Sequence, residues 1–542
     1  MPPEAPATVN AIDAAALAVR LAAADAHALI DVREPGEAER GHILGATCVP
    51  RRLIEFRLFE LVRDRATAIT VCDDDTGRAA LAAATLVRLG YRNVAFLRGG
   101  IAAWKAAGHR LATGTNVPSK RYGEAVEGEH DVPRVTASEL HEWGREGRDV
   151  VICDVRTPEE YTEACIPGAY SAPGFDYALH AADLARTHGT VVMNCAGRTR
   201  SIIATRTLIE MGHANVVGLE NGTMGWRLAG LDVEKGAARE LAAPSAQSVA
   251  EAAAAARALA DAAGIARVDA ATLMRERHDE TARAAQGRAR NGYLFDVRRV
   301  AEYLRGHIPG ALALPGGQAV QRADDFIALR TAPIVLVDER DVQACLAAVW
   351  LHRMGIRDVR VLAGGIDAWK AAGGAMATGR ERAEPLGWAE AVANATPQPV
   401  QECAALLRER PDTLIVDVGT SRSYRRGHLQ GATWLPRGWL EARIDALAGS
   451  HARPLLVACD DGRQSVYAAA TLRALGYTDV RALEGGKRAW QQAGLPLVPG
   501  PLPPQDDELV PPYKRGEQGM RDYLAWERQL VEPVARPAQA PT

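Results

Sequence analysis

Long hydrophobic runs are missing from this chain. No uninterrupted apolar stretch in its 542 residues reaches the about 18 needed to cross a bilayer, so no membrane span is expected. The opening Met1-Pro2-Pro3-Glu4-Ala5-Pro6 lacks the basic region and apolar run of a secretory signal, and none is expected. Charge of one sign is missing too. Lys and Arg number 64 against 67 Asp and Glu, and a net charge of −3 gives no basis for binding nucleic acid. None of the eight cysteines falls in a Cys-x2-Cys pattern, and there is no P-loop or dinucleotide glycine fingerprint. Neither a metal nor a cofactor is therefore expected. Unpatterned cysteines without a secretory signal predict a reducing, cytoplasmic setting. A hydrophobic content of 47% with 24% charged residues is ordinary for a soluble globular protein.

What is present centres on Val191-Val192-Met193-Asn194-Cys195-Ala196-Gly197-Arg198-Thr199-Arg200-Ser201. A short apolar run, readable as a buried strand, stops at a cysteine. A helical pattern follows through Ile202, Ile203, Leu208 and Met211. Cys195 thus opens a tight loop whose N–H groups can converge on sulfur, with a helix N-terminus beneath. Both features favour an anion. Arg198 and Arg200 add two positive charges. One unit charge about 6 Å from the sulfur, at an effective dielectric of about 20, is worth about 2.8 kcal/mol, or about two pKa units before screening. The thiol is expected to ionise readily and act as a nucleophile, and the arginines to attract an anionic substrate. A buried structural cysteine, the bland alternative, has no need of flanking arginines.

The pattern around this loop recurs four times. Asp31-Val32-Arg33, Asp154-Val155-Arg156, Asp296-Val297-Arg298 and Asp417-Val418 each follow an apolar run. Variants of one turn come next: Gly41-His42-Ile43-Leu44-Gly45-Ala46, Ala164-Cys165-Ile166-Pro167-Gly168-Ala169, Gly306-His307-Ile308-Pro309-Gly310-Ala311 and Gly427-His428-Leu429-Gln430-Gly431-Ala432. Each unit closes on a tryptophan: Trp104, Trp226, Trp369 and Trp490. Within a unit, apolar runs alternate with helical patterns. This predicts an α/β fold, a parallel sheet flanked by helices, with the cysteine loop at the carboxyl end of a strand. The alanine-rich gap at 236–264 reads as a helical linker, so the units are expected to pair as one with two and three with four. The proline-rich stretch from Pro499 turns helical near Gly516 and is expected to pack on the body through Met520, Tyr523, Leu524 and Trp526.

The loop from Cys195 to Ser201 resembles the active-site loop of the rhodanese family of sulfurtransferases. Asp154 to Tyr161, Ile166-Pro167-Gly168-Ala169 and Asn221-Gly222-Thr223-Met224-Gly225-Trp226 resemble that family's flanking motifs. The resemblance implies four tandem rhodanese-like domains at 8–118, 132–235, 265–378 and 395–498, with a tail at 499–542. It also implies that Cys195 takes a sulfane sulfur from a donor such as thiosulfate and holds it as a persulfide. The sulfur then passes to a thiophilic acceptor, cyanide or a thiol. Ala196, Gly197, Arg198, Thr199, Arg200 and Ser201 would bind the substrate.

Counting back equally from the glycines that end the following helices, Gly90, Gly212, Gly355 and Gly476, places Asp73, Cys195, Asp338 and Cys459 at one position. A carboxylate cannot hold a persulfide, so the first and third domains are expected to be inert. Cys459 is the second thiol candidate. Its loop carries Asp460, Asp461 and Arg463, with Gln464 where the other has Arg200. The aspartates should raise its thiol and repel thiosulfate. Cys72 has Cys-x5-Arg spacing to Arg78, as in a phosphatase loop, but three adjacent aspartates oppose a phosphate, and a strand-end cysteine fits better. Cys165 reads as a packing residue or as a resolving thiol for Cys195. Asp154 and Arg156 read as a structural ion pair, and Trp226 as core. A second function class also fits: a sulfur carrier whose inert domains dock a sulfur-acceptor protein.

Overall fold

Val150–Asp154 and Thr190–Asn194 carry unbroken apolar runs, Val150 to Cys153 and Val191 to Met193, as strands covered on both faces by helices must. They pair in parallel, Val151 beside Val191 and Asp154 beside Asn194. In the computed structural model, which describes residues 9–23, 25–381 and 383–531, this arrangement occurs four times. Residue 8 and the tail beyond 531 lie outside the described residues. In the second domain the sheet order is Arg134–Val135, Val216–Leu219, Thr190–Asn194, Val150–Asp154, Tyr170–Ser171, and the other three sheets have the same order. The cysteine-bearing strand is thus central, and its carboxyl end delivers Cys195.

Local chemistry sets the elements around it. Thr157 and Glu160 form a capping box, with Pro158 in the first turn, and start the helix Pro158–Glu163. Arg156 donates to Asp154 at 2.7 Å and to the Ala164 carbonyl at 2.6 Å, so this buried pair ties the strand end to the next turn. Arg33 and Arg298 repeat the arrangement with Asp31 and Asp296. In the fourth domain Gly419 replaces the arginine, and Lys487 holds Asp417 from another helix at 2.8 Å. Trp226 is core and donates to the Asp232 carbonyl at 2.7 Å. Cys165 packs among Tyr161, Ile166, Ala169 and Trp226, as a packing residue does.

The pairing of domains differs from the sequence expectation. The chain forms two units and crosses between them after Thr115, Glu381 and Val510. One unit holds the first and fourth domains, and the other holds the second and third with the C-terminal segment. The alanine-rich segment is a helix, Ala246–Ala262, but it is not a spacer between pairs. Its buried Ala252, Ala256 and Ala260 let it pack closely against both Tyr177–Thr187 of the second domain and Gln343–Arg353 of the third. Trp350 also donates to Thr207 at 2.9 Å within this unit. In the other unit, Arg51 meets Glu441 at 2.9 Å, and Arg437 pairs with Glu55.

Candidate active site at Cys195

The loop is fixed by contacts that leave little slack. Cys195 follows the strand Thr190–Asn194, and the helix Thr199–Glu210 begins just beyond Arg198. Thr223 N–H donates to the Cys195 carbonyl at 2.8 Å, and Met224 N–H to the Ala196 carbonyl at 3.0 Å. Gly222, at φ +55°, crosses so close that a Cβ there would lie 2.3 Å from the Cys195 carbonyl oxygen. Gly100, Gly365 and Gly486 meet the carbonyls of Asp73, Asp338 and Cys459 in the same way, so the four positions are structurally equivalent.

What fills the loop differs among the domains. Asp338 accepts backbone N–H bonds from Asp341, Val342 and Ala344 at 2.8, 2.8 and 3.2 Å. Burial nonetheless pushes its carboxyl up to about 6. Asp73 accepts from Asp75 and Ala79 at 3.0 and 3.1 Å. In these two domains a carboxylate occupies the amide donors. Cys72 is the last residue of the strand Ala68–Cys72, one place before the loop position, and burial drives its thiol far up. Neither its place in the strand nor its burial favours phosphatase chemistry there.

Cys195 is 2% exposed, with its Sγ 3.3 Å from Ser201 Oγ. Burial pushes the thiol up, against the opposing pull of the Arg200 charge and Ser201. Burial thus opposes the ready ionisation expected of this thiol. The two arginine charges do not stand unopposed. Arg198 donates to Glu124 at 2.6 and 2.8 Å and also pairs with Glu127, both on the helix Val117–His130. Arg200 makes two bonds to Glu160 at 2.7 and 2.8 Å. Burial works against the Glu160 carboxylate, yet Arg200 holds it down at about 2. Thr199 Oγ1 donates to Glu527 Oε1 at 2.7 Å, while Gly197 lies under Met224, Tyr523 and Glu527. The C-terminal helix Gly516–Arg528 thus covers the loop, and Met520 and Leu524 anchor it on Met224.

The expected loop residues come together here, and so does the tail. Sequence reasoning missed Glu124, Glu127, Glu160 and Glu527. Only Glu160 stood in a motif already noted, where its capping role gave a signal. Cys459 is also 2% exposed, and it accepts from Ser465 N–H at 3.4 Å. Among the described residues no group of three His, Cys, Asp or Glu is arranged to hold a metal ion. No described helix is long and apolar enough to cross a membrane.

Cys195 thus sits between the carboxyl end of a central parallel strand and the start of a helix in an α/β domain. Residues 13–107, 136–229, 279–372 and 400–493 each match the family described as Rhodanese-like domain. The chain belongs to the rhodanese family, and it is a rhodanese-type sulfurtransferase. It is similar to the crystal structure of a thiosulfate sulfurtransferase from Pseudomonas aeruginosa, at 36% identity and TM-score 0.87, covering 96% of this chain and 97% of that one. A sulfurtransferase of Allochromatium vinosum is 40% identical over 100 residues, 18% of this chain and 92% of its own. A thiosulfate sulfurtransferase of Pseudomonas putida is 32% identical over 91 residues, 17% of this chain and 80% of its own.

Proposed function

We propose that Cys195 is the sulfur-carrying nucleophile and that the second domain does the chemistry. The observation that carries this reading is the contrast among equivalent loops: Asp73 and Asp338 fill the amide donors that a persulfide would need. The Cys195 thiolate attacks the outer sulfur of thiosulfate or a related donor. A new S–S bond forms, the donor's S–S bond breaks, and sulfite leaves with the electron pair. Cyanide or a thiolate then attacks the outer persulfide sulfur and releases the Cys195 thiolate. No external oxidant or reductant is needed. Ala196, Gly197 and Ser201 would line the sulfur, while Arg200 supports the anion. Thr199 and Arg198 hold the covering helices. An unpaired nucleophilic thiol suits a reducing cytoplasm.

Cys195→Ser tests the reading. An alcohol is a far weaker nucleophile and cannot carry sulfane sulfur, so thiosulfate:cyanide transfer should vanish while the fold persists. More than a few per cent of residual activity would overturn the assignment. A carrier that hands sulfur to an acceptor protein would instead take up one sulfur and show no turnover with cyanide.

A further inference from the structure

The C-terminal helix does more than close the second domain. Its preceding turn is pinned there: Tyr513 donates to Glu163 at 3.1 Å, and Lys514 meets the same carboxylate at 2.6 Å. Arg528 donates to Asn221 at 3.0 Å at the other end. Between these anchors the helix sets Glu527 against the loop. Its Oε1 accepts from Thr199, and its Oε2 lies 3.4 Å from where a Gly197 Cβ would be. Glu527 is 1% exposed, and Oε2 has no hydrogen-bond partner among the described residues.

We propose that Glu527 is a specificity-determining residue of the Cys195 site, disfavouring dianionic sulfur donors and favouring monoanionic ones, such as thiosulfonates and persulfides. The inference rests on the reading of Cys195 as the sulfur carrier. Arg198 is paired with Glu124 and Glu127, and Arg200 with Glu160, so the loop's two positive charges already meet three carboxylates before Glu527 is counted. The ammonium of Lys120 faces the same helix, 5.0 and 4.9 Å from the ring centres of Tyr523 and Trp526. A buried negative charge of this kind repels a second negative charge strongly, because little water screens it. Repulsion built into a site is an ordinary means of choosing among similar ligands. Oε1 is occupied by Thr199, which leaves Oε2 to act on whatever enters the loop.

Thiosulfate and methanethiosulfonate separate charge from chemistry. Both present a terminal sulfane sulfur, and their leaving groups are sulfite and methanesulfinate. They differ by one negative charge. With the full chain and cyanide as acceptor, Glu527→Gln should raise kcat/KM for thiosulfate about tenfold and change methanethiosulfonate less than threefold. Glu527→Met, neutral and without a polar group to bury, should do the same if the glutamine variant folds poorly. Asp522→Asn, on the exposed face of the helix, should leave both donors unchanged. Equal changes with both donors, or a fall with thiosulfate in folded variants, would overturn the proposal. Cys195→Ser distinguishes the two readings. If it stays active, the site assignment fails and the inference falls with it. If it is inactive and Glu527→Gln leaves the donor ratio unaltered, only the inference fails.

Discussion

Cys195 and Cys459 follow equivalent strands and are equally buried, yet their surroundings are built from different parts. Around Cys195, arginines come from the loop and carboxylates arrive from elsewhere: Glu124, Glu127, Glu160 and Glu527. Around Cys459, aspartates come from the loop and a lysine arrives from elsewhere. Lys487 contacts Asp417 at 2.8 Å and lies 3.4 Å from Asp460, which also accepts from Ser423. Arg463 donates to the Ala383 carbonyl at 3.3 Å and lies over the rings of Phe56 and Trp388. Gln464, in the place of Arg200, accepts from Arg437 at 2.7 Å and joins the contact between the first and fourth domains. Each loop is therefore charged by its own residues and then largely neutralised by its neighbours. What separates the thiols is the sign of the loop charge that acts on each: Arg200 favours the Cys195 anion, against Glu527 from the C-terminal helix, whereas Asp461 opposes that of Cys459.

The comparison breaks most sharply at that arginine. Arg200→Ala should lower thiosulfate kcat/KM about tenfold or more, because a charge acting on a buried anion is worth about 1.5–3 kcal/mol. Gln464→Ala should leave total activity unchanged. Equal effects from the two would mean that the loops do not differ in function. Arg198→Ala should act mainly by loosening the helix Val117–His130, seen as a lower unfolding temperature with smaller loss of activity than Arg200→Ala.

Acid should sharpen the same contrast. Glu160 is held at about 2 in the folded chain, against an ordinary 4.5, so its contribution is present above pH 4.5 and is lost as pH falls through about 2. The stability involved is about 1–3 kcal/mol. In denaturant melts, Glu160→Gln should be less stable than the parent at pH 7, and the gap should shrink steadily below pH 4.5. Ser423 takes the place of Glu160 in the fourth domain, so Ser423→Ala should show no acid dependence of this kind. A constant gap for Glu160→Gln would show that the Arg200 pair does not hold the loop.

The smallest effect is a change in where the chain is cut. Limited proteolysis should spare the buried alanine helix Ala246–Ala262 and cut first near Thr115, Glu381 or Val510. Cys195 should then stay with the third domain and the C-terminal helix, and Cys459 with the first domain. Early cleavage inside the alanine helix would restore the pairing expected from sequence.

Much of this was legible in the sequence, for reasons that also mark its limit. Apolar runs such as Val150 to Cys153 and the repeated Asp-Val-Arg turns specify each sheet locally, so four domains and the position of Cys195 could be read directly. The pairing of domains could not. Ala252, Ala256 and Ala260 make a good helix whether it spans water or fills a seam, and only packing decides which. The charge of the loop was misread for a similar reason. Arg198 and Arg200 are visible in one short stretch, whereas their partners lie on other elements. Glu527 is the extreme case, brought to Thr199 by the fold from the far end of the chain. Lys487 is its counterpart in the fourth domain, where counting loop charges alone overstated the cost of Asp460.

The central claim is that one thiol, Cys195, carries the sulfur. Treating the full chain with thiosulfate, digesting it and weighing the cysteine peptides tests this most directly. The account predicts a gain of one sulfur on the Cys195 peptide, lost again on adding cyanide, with little or none on the Cys459 peptide. Sulfur found first or mainly on Cys459 would contradict it.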